Sequence, residues 1–166
     1  LMTYYRNNIL HLVVLPALVA CLFQNNPRMN RSQIERLILG IYPYLQGELF
    51  LQWDEEQLPQ VIQTWIDSLV EQGLLREEDG QIHRPDLSSS EFVMLSLLAR
   101  SIIQILERFY MASALLLNFP NGSQTAEQLE ALCTVMAQRL SILHGLNAPE
   151  FFDKTLFHQF IQRLID

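Results

Sequence analysis

The chain has 166 residues, of which 49% are hydrophobic and 17% are charged, and its formal net charge is −7. This length fits one domain with a sizeable core. The charged fraction is below the roughly 25% that is usual for soluble domains. Residues 1–40 carry four arginines against one glutamate, whereas the rest of the chain carries seven basic and seventeen acidic side chains. Because nucleic-acid binders need a dense basic face, this balance argues against DNA or RNA as a partner.

The first predicted helix covers about Met2–Phe23 and stops at the Gln24–Pro27 breaker. Its apolar segment Ile9–Phe23 has fifteen residues, which is short of the roughly 20 that span a bilayer. Pro16 should kink the helix, because proline removes one helical hydrogen-bond donor. Cys21 lies in this apolar pattern, and Cys133 in a later one, which predicts buried free thiols and a reducing compartment.

Two further helices are predicted before a turn. Asn30 can cap a helix of about Arg31–Leu45, which Pro43 should end early. A third helix of about Asp54–Gln72 has apolar residues at spacings of three and four, and Gly73 is a natural stop.

The stretch LLREEDGQIHRP, residues Leu74–Pro85, contains Asp79-Gly80 between two short segments, which predicts a small β-hairpin. A helix followed by such a hairpin resembles the end of a winged-helix domain, in which that helix would enter the major groove of DNA. Residues 54–72 hold five acidic side chains and no lysine or arginine. We therefore expect a structural wing that does not bind DNA.

The longest predicted helix, about Ser90–Asn118, is apolar around almost its whole circumference, which is typical of a central core helix. Thr125 and Gln128 form a capping box at the start of a fifth helix, and Gly145 ends it. Its predicted buried stripe is Leu129, Leu132, Cys133, Met136, Leu140 and Leu143. The sixth helix runs from Pro149 to the end, with an apolar row at a spacing of four: Phe152, Leu156, Phe160 and Leu164. The chain is thus predicted to be mainly α, a single helical domain over residues 1–166 with about six helices and one small hairpin.

The sequence offers no catalytic, cofactor or metal site. Its four histidines are His11, His83, His144 and His158, and none has a partner at zinc-binding helical spacing. His158 has no evident partner of any kind. Glycine-rich phosphate loops, CxxC pairs and the nucleophile elbow are absent from the sequence.

Two long stretches carry a resemblance to a known family. YYRNNILHLVVLPALVA (Tyr4–Ala20) and MAQRLSILHGLNAPEFFDK (Met136–Lys154) resemble the bacterial sn-glycerol-3-phosphate acyltransferases of the inner membrane. The family's reaction, as the resemblance implies, transfers an acyl group from acyl carrier protein or acyl-CoA to the 1-hydroxyl of glycerol 3-phosphate and begins phospholipid synthesis. Its catalytic signature is a histidine followed five positions later by an aspartate, and no histidine here is followed in that way. The resemblance therefore implies a non-catalytic C-terminal region of a longer enzyme, with the active site upstream.

The resemblance also implies partners and a location. We expect the apolar helix within residues 1–26 to contact the parent's own catalytic domain or the membrane interface, through Tyr5, Arg6, Asn7, Asn8 and His11. Arg28, Arg31 and Arg36 are candidate contacts for lipid headgroups or for acyl carrier protein, which is acidic. The expected location is the cytoplasmic face of the bacterial inner membrane. The alternative is a free-standing, winged-helix-like interaction module that does not bind DNA.

Overall fold

The structure is a computed structural model that describes residues 2–49, 51, 53–120, 122–144 and 153–165, with their side chains except at 2–11, 47, 143, 144 and 165. The described elements are mostly helices, with one small antiparallel sheet, which confirms the prediction of a mainly α fold. In chain order the described elements are α1 (Met2–Asn25), β1 (Arg28–Met29), α2 (Arg31–Leu49), α3 (Leu58–Glu71), β2 (Arg76–Glu78), β3 (Gln81–His83), α4 (Ser90–Asn118), α5 (Ala126–His144) and α6 (Lys154–Ile165). The chain divides into two compact units, Leu1–Ile103 and Gln104–Asp166. The single domain expected from the sequence stays a prediction.

The first unit has the element order and the sheet of a winged helix. Its elements follow the order α1, β1, α2, α3, β2, β3, and the strands form a three-stranded antiparallel sheet in the order β1-β3-β2. The apolar spacing of α3 predicts its buried face correctly, since Leu58, Ile62, Ile66 and Leu69 are all buried. The remaining core of this unit comes mainly from α1, α2, β3 and α4, through Val14, Leu15, Ile34, Ile38, Tyr42, Leu45, Ile82, Leu95, Ala99 and Ile102.

Strand β1 is the element that the sequence does not predict. Its two residues pair with β3 in the register Arg28↔His83 and Met29↔Ile82. The backbone N–H of Arg84 also donates to the carbonyl of Pro27 at 3.0 Å, which extends the pairing by one position. Two residues are too few to show the alternation by which a strand is recognised in a sequence.

Helix α2 is longer than predicted, because Pro43 lies inside it and does not end it. Pro43 is exposed, whereas Tyr42 before it and Leu45 after it are fully buried. The Tyr42 hydroxyl also donates to the carbonyl of Trp53 at 3.1 Å. Burial on both sides of the proline thus offsets the one helical hydrogen bond that it removes.

Helix α3 begins later than predicted. The carbonyl of Asp54 accepts from the N–H groups of Gln57 and Leu58, both at 3.0 Å, so residues 54–57 form a turn and the helix starts at Leu58. Pro59 then falls in the first helical turn, where a missing N–H costs least.

Helix α4 has the predicted bounds, but it is not buried on all sides. In the first unit Leu95, Ala99 and Ile102 face the core, while Val93 and Leu97 are each 55% exposed. The expectation of burial around the whole circumference was wrong here, because apolar content alone does not say how many faces of a helix are covered.

The second unit contains the end of α4 together with α5 and α6. The capping box predicted for α5 is confirmed: the N–H of Thr125 donates to Oε1 of Gln128 at 2.9 Å, and the N–H of Gln128 to Oγ1 of Thr125 at 3.3 Å. The rings of Phe109 and Phe160 stack with centroids 4.3 Å apart. The buried side chains of α5 and α6 include Leu129, Cys133, Ala137, Phe157, Phe160 and Ile161.

The apolar stripes predicted for α5 and α6 are only partly correct. Leu132 and Met136 on α5 and Leu164 on α6 are exposed, whereas Ala137 and Phe157 are buried in their place. The predicted stripe of α5 was built from large apolar side chains, so the small Ala137 was missed. Residues 145–152, which include Pro149 and Phe152, and the side chain of Leu143 lie outside the described residues.

The hairpin between β2 and β3 turns through Asp79 and Gly80, which both have positive φ, at 51° and 71°. Positive φ at both central residues is the type I′ geometry that matches the twist of the strands.

We expect Gly80→Ala to lower the free energy of unfolding by about 1 kcal/mol, because an L-residue is strained in this region. Gly40→Ala is the matched control: a Cβ on this exposed α2 residue meets nothing within 4 Å, so we expect a gain of about 0.5–1 kcal/mol. Urea titration of both variants measures the change in the free energy of unfolding. A change of the same sign in both variants would contradict the prediction.

Candidate functional site

The residues proposed at the start of α1 cannot be placed as a site. Tyr5, Arg6, Asn7, Asn8 and His11 belong to the helix, but their side chains lie outside the described residues. Their role in contacts with a catalytic domain or a membrane stays a prediction.

Arg31 lies at the first position of α2 and joins three elements of the first unit. Its Nε and Nη2 donate to the two carboxylate oxygens of Glu77 on β2, at 2.9 and 2.7 Å. Nη2 also lies 2.7 Å from Oδ1 of Asp67, and Nη1 donates to Oε1 of Gln63 at 3.1 Å, both on α3. We call Arg31, Gln63, Asp67 and Glu77 the Arg31 cluster.

The charges in the Arg31 cluster stabilise one another. The hydrogen bond to Glu77 is the main cause of a raised pKa for the Arg31 guanidinium, and the same bond lowers the pKa of the Glu77 carboxyl. With two carboxylates around one guanidinium, the cluster as a whole is not positive. A headgroup or carrier-protein contact at Arg31 stays a prediction, but the described side chain already serves to hold the wing.

Arg28 and Arg36 differ from Arg31. Both are exposed, and neither makes a side-chain hydrogen bond or ion pair with the described residues. Arg36 is five positions beyond Arg31 on α2, which places the two about 140° apart around the helix. Arg31 and Arg36 thus lie on different sides of α2, and a headgroup or carrier-protein contact at Arg28 or Arg36 stays a prediction.

Arg28 instead belongs to a row of residues across the sheet that the sequence does not reveal. In the register of the sheet, His83 on the central strand β3 lies opposite Arg28 of β1 on one side. On its other side it lies opposite Arg76 of β2. Residues opposite one another in an antiparallel sheet share a face, and the next row contains the buried Met29 and Ile82. Arg28, His83 and Arg76 thus line the outward face of the sheet, and we call them the wing row. Glu78, two residues after Arg76 on β2, shares this face.

A cavity of about 520 Å³ adjoins the wing row, lined by His83 and by the segment that leads into α4. Arg84 in this lining is fixed in place: its guanidinium lies 5.4 Å from the centroid of the Phe92 ring and donates to the carbonyl of Gln24 at 3.3 Å. Asp86 contributes a carboxylate to the same lining, and Ser88 a hydroxyl. The cavity is thus a polar recess whose lining holds both an arginine and a carboxylate.

His158 has a partner, contrary to the expectation from the sequence. Its Nδ1 lies 2.5 Å from Oε1 of Glu130, a residue of α5 whose side chain is only 5% exposed. The His158 side chain itself is 53% exposed. The two residues are 28 positions apart, so no local spacing could have indicated the pair.

Both cysteines are free thiols; Cys133 is buried as predicted, whereas Cys21 is half-buried. Burial raises the pKa of Cys21 and of Cys133 to about 11, and at Cys133 the nearby Glu130 adds to the effect. The Cys21 thiol donates to the carbonyl of Ala99 at 3.4 Å. Thiols with pKa values this high are poor nucleophiles, so both side chains belong to the packing of their helices.

Within the described part of the chain, no group of three or more histidine, cysteine, aspartate or glutamate residues could hold a metal ion. The helices described also include none with both the length and the hydrophobicity needed to cross a bilayer.

Comparison with known proteins gives one consistent result. Residues 1–166 match the protein family described as "Glycerol-3-phosphate acyltransferase C-terminal region". The curated relatives include glycerol-3-phosphate acyltransferases from Pseudomonas paraeruginosa (strain DSM 24068 / PA7) and Pseudomonas aeruginosa (strain UCBPP-PA14), each 61% identical over all 166 residues. The protein of the same name from Ectopseudomonas mendocina (strain ymp) is 60% identical over the same length. The chain spans 20% of the length of each of these relatives. No solved structure matches the chain significantly.

Proposed function

Because this chain belongs to the family of glycerol-3-phosphate acyltransferase C-terminal regions, we propose that it is a non-catalytic part of an enzyme that acylates sn-glycerol 3-phosphate. The parent enzyme would transfer an acyl group from acyl carrier protein or acyl-CoA to the 1-position, the first step of phospholipid biosynthesis. The observation that carries the proposal is about 60% identity over the whole chain to relatives with that name.

The chemistry of the chain's own histidines supports a non-catalytic role. The residues five positions after His11, His83, His144 and His158 are Pro16, Ser88, Pro149 and Arg163, so none repeats the histidine–aspartate signature of the family. His158 does contact a carboxylate, but Glu130 reaches it from another helix and is itself buried. In this position the pair serves to join α5 and α6.

We propose that the chain braces the catalytic domain of the parent at the cytoplasmic face of the inner membrane. The exposed Arg28 and Arg36 are the candidate contacts with acidic partners, whether acyl carrier protein or lipid headgroups, because Arg31 is already bound to Glu77 and Asp67. The start of α1, with Tyr5 to His11, is the candidate contact with the catalytic domain.

Immunoprecipitation of native enzyme tests this function. Membranes of the source bacterium are dissolved in mild detergent, depleted with an antibody to this chain, and assayed for transfer of a palmitoyl group to labelled glycerol 3-phosphate. We expect the activity in the precipitate together with an antigen well above 19.3 kDa, the mass of this chain. A pre-immune serum is the control. Activity that stays in the supernatant after the antigen is removed would contradict the proposal.

The same experiment addresses the alternative. A free-standing interaction module would give a band near 19.3 kDa that carries no acyltransferase activity. Winged-helix architecture is compatible with both readings, because this fold does not determine what its surfaces bind.

A further inference from the structure

Helix α4 is apolar on two opposite sides within the first unit. Residues 92–99 read FVMLSLLA, which is seven apolar residues and one serine. Leu95 and Ala99 lie on the side that packs against the unit's own core, and both are buried. The same stretch of α4 is held to α1, because the Cys21 thiol donates to the carbonyl of Ala99 at 3.4 Å. One side of α4 is therefore fully used inside the first unit.

The opposite side of this segment is not covered by the part of the chain that the structure describes. Val93 and Leu97 are each 55% exposed, and Met94 is 57% exposed. Spacings of four and three positions place the three side chains on one side of the helix. Leu97 is two residues before Ala99, so the two lie about 160° apart around the axis. We call Val93, Met94 and Leu97 the outer side of α4.

A helix that is apolar on all sides is normally buried on all sides, by the core of a larger protein or by lipid. The first unit covers only one of the two apolar sides of α4. The sequence pattern of this segment therefore calls for a further layer, supplied from outside the chain.

The surroundings of the outer side favour protein over lipid as this layer. A helix that lies on a bilayer carries a charged side opposite its apolar one, whereas the side of α4 opposite Leu97 is itself apolar and buried. The nearest charged residues along the chain are Glu91 and Arg100, one of each sign. Such a pair gives no preference for an anionic bilayer surface.

The size of the outer side favours a partner in the same polypeptide over a second copy. Three side chains that are slightly more than half exposed leave on the order of 200 Å² of apolar surface, whereas a stable complex of separate chains buries about 800 Å² on each partner. A domain of the same polypeptide needs less area, because the linkage removes most of the entropic cost of association. Such a domain is available in the relatives: the chain spans 20% of their length, and its family is described as the C-terminal region.

We propose that the outer side of α4 is the surface on which the preceding part of the parent acyltransferase packs. The inference rests on the proposed function for the identity of the parent, and it adds a contact surface that is separate from the start of α1. In the parent, α4 then has protein on both of its apolar sides, which is the burial that its sequence pattern predicts.

Photo-cross-linking in the intact parent enzyme identifies the neighbour of α4. A benzophenone amino acid replaces Leu97, the enzyme is irradiated in native membranes, and the cross-linked peptides are sequenced by mass spectrometry. We expect the peptide that carries position 97 to be joined to a peptide from the preceding part of the same chain. The matched control carries the benzophenone in place of Leu37 on α2, which is 45% exposed, and should give none of this product.

Four results would overturn the proposal: an adduct with phospholipid, a product that joins two copies of the chain, the same product from both positions, or no cross-link at position 97. Cross-linking does not depend on acyl transfer. A failed immunoprecipitation would therefore remove the acyltransferase identity and leave the packing surface standing. An adduct with lipid would instead remove the packing surface and leave that identity standing.

Met94 supplies a second measurement that needs no substitution. Hydrogen peroxide oxidises methionines that it can reach, and Met94 is 57% exposed in the described chain. If the preceding part of the parent covers it, Met94 in the native parent should oxidise at least about tenfold more slowly than in the parent unfolded in urea. Met29, which is only 9% exposed, is the reference for a protected residue. Oxidation of Met94 at the unfolded rate while Met29 stays protected would contradict the proposal, even where the benzophenone variant does not fold.

Discussion

Replacing Arg31 with methionine is expected to lower the free energy of unfolding by about 2 kcal/mol. The substitution keeps the length of the apolar stem but removes the guanidinium that binds Glu77 through two hydrogen bonds. It also removes the ion pair with Asp67. Isolated surface ion pairs contribute less than this, but the cluster here combines a bidentate pair with a second carboxylate, and the Arg31 side chain is only 27% exposed.

Urea denaturation followed by circular dichroism measures the effect, and two variants sharpen it. Arg36→Met removes an exposed arginine from the same helix and should change stability by less than about 0.5 kcal/mol. Arg31→Lys keeps the charge but not the planar guanidinium. Its loss in the free energy of unfolding should therefore fall between those of Arg31→Met and Arg36→Met. An Arg31→Met variant as stable as Arg36→Met would mean that the cluster does not hold the wing.

The same cluster predicts a dependence on pH. The pKa of Glu77 is lowered in the folded chain by the hydrogen bond from Arg31, from an ordinary value of 4.5. A carboxylate with a depressed pKa stabilises the fold above its ordinary pKa, and this contribution disappears as the pH falls through the folded value. Stability should therefore decrease below about pH 4.5, and Arg31→Met should show less of that decrease.

Local signals account for what the sequence predicts well. The capping box at Thr125, the Asp79-Gly80 turn and the apolar spacing of α3 each depend on residues within one or two turns of one another. Such features need no knowledge of the tertiary fold. The winged-helix shape followed from them because a helix and a hairpin in this order leave few ways to pack.

Contacts between distant residues account for what the sequence misses. Arg28, Arg31 and Arg36 look alike in the sequence, yet one lies on a sheet face, one is held by carboxylates of α3 and β2, and one points from α2 without a described partner. The wing row joins residues 28, 76 and 83 through a strand too short to be recognised. Likewise Pro43 has a local preference to end its helix, which the burial of Tyr42 and Leu45 outweighs.

Replacing His158 with leucine is expected to destabilise the second unit by about 1–3 kcal/mol, because the nearly buried Glu130 carboxylate loses the imidazole beside it. The loss should appear as weaker hydrogen-exchange protection along α5 and α6. Gln159→Leu is the control, since it replaces an exposed polar residue at the next position of α6, and its effect should stay within about 0.5 kcal/mol.

A double-mutant cycle separates the contact of His158 and Glu130 from the cost of each change alone. Replacing both partners with apolar residues, as Glu130→Met with His158→Leu, leaves no buried carboxylate without a partner, so the double variant should be more stable than the sum of the single losses by at least about 1 kcal/mol. Simple addition of the two losses would mean that the residues are not coupled. In the parent enzyme, acyl transfer by His158→Leu should fall only in proportion to the folded fraction. A loss of turnover in fully folded enzyme would instead give this histidine a part in the reaction, and the non-catalytic role proposed for the chain would then be wrong.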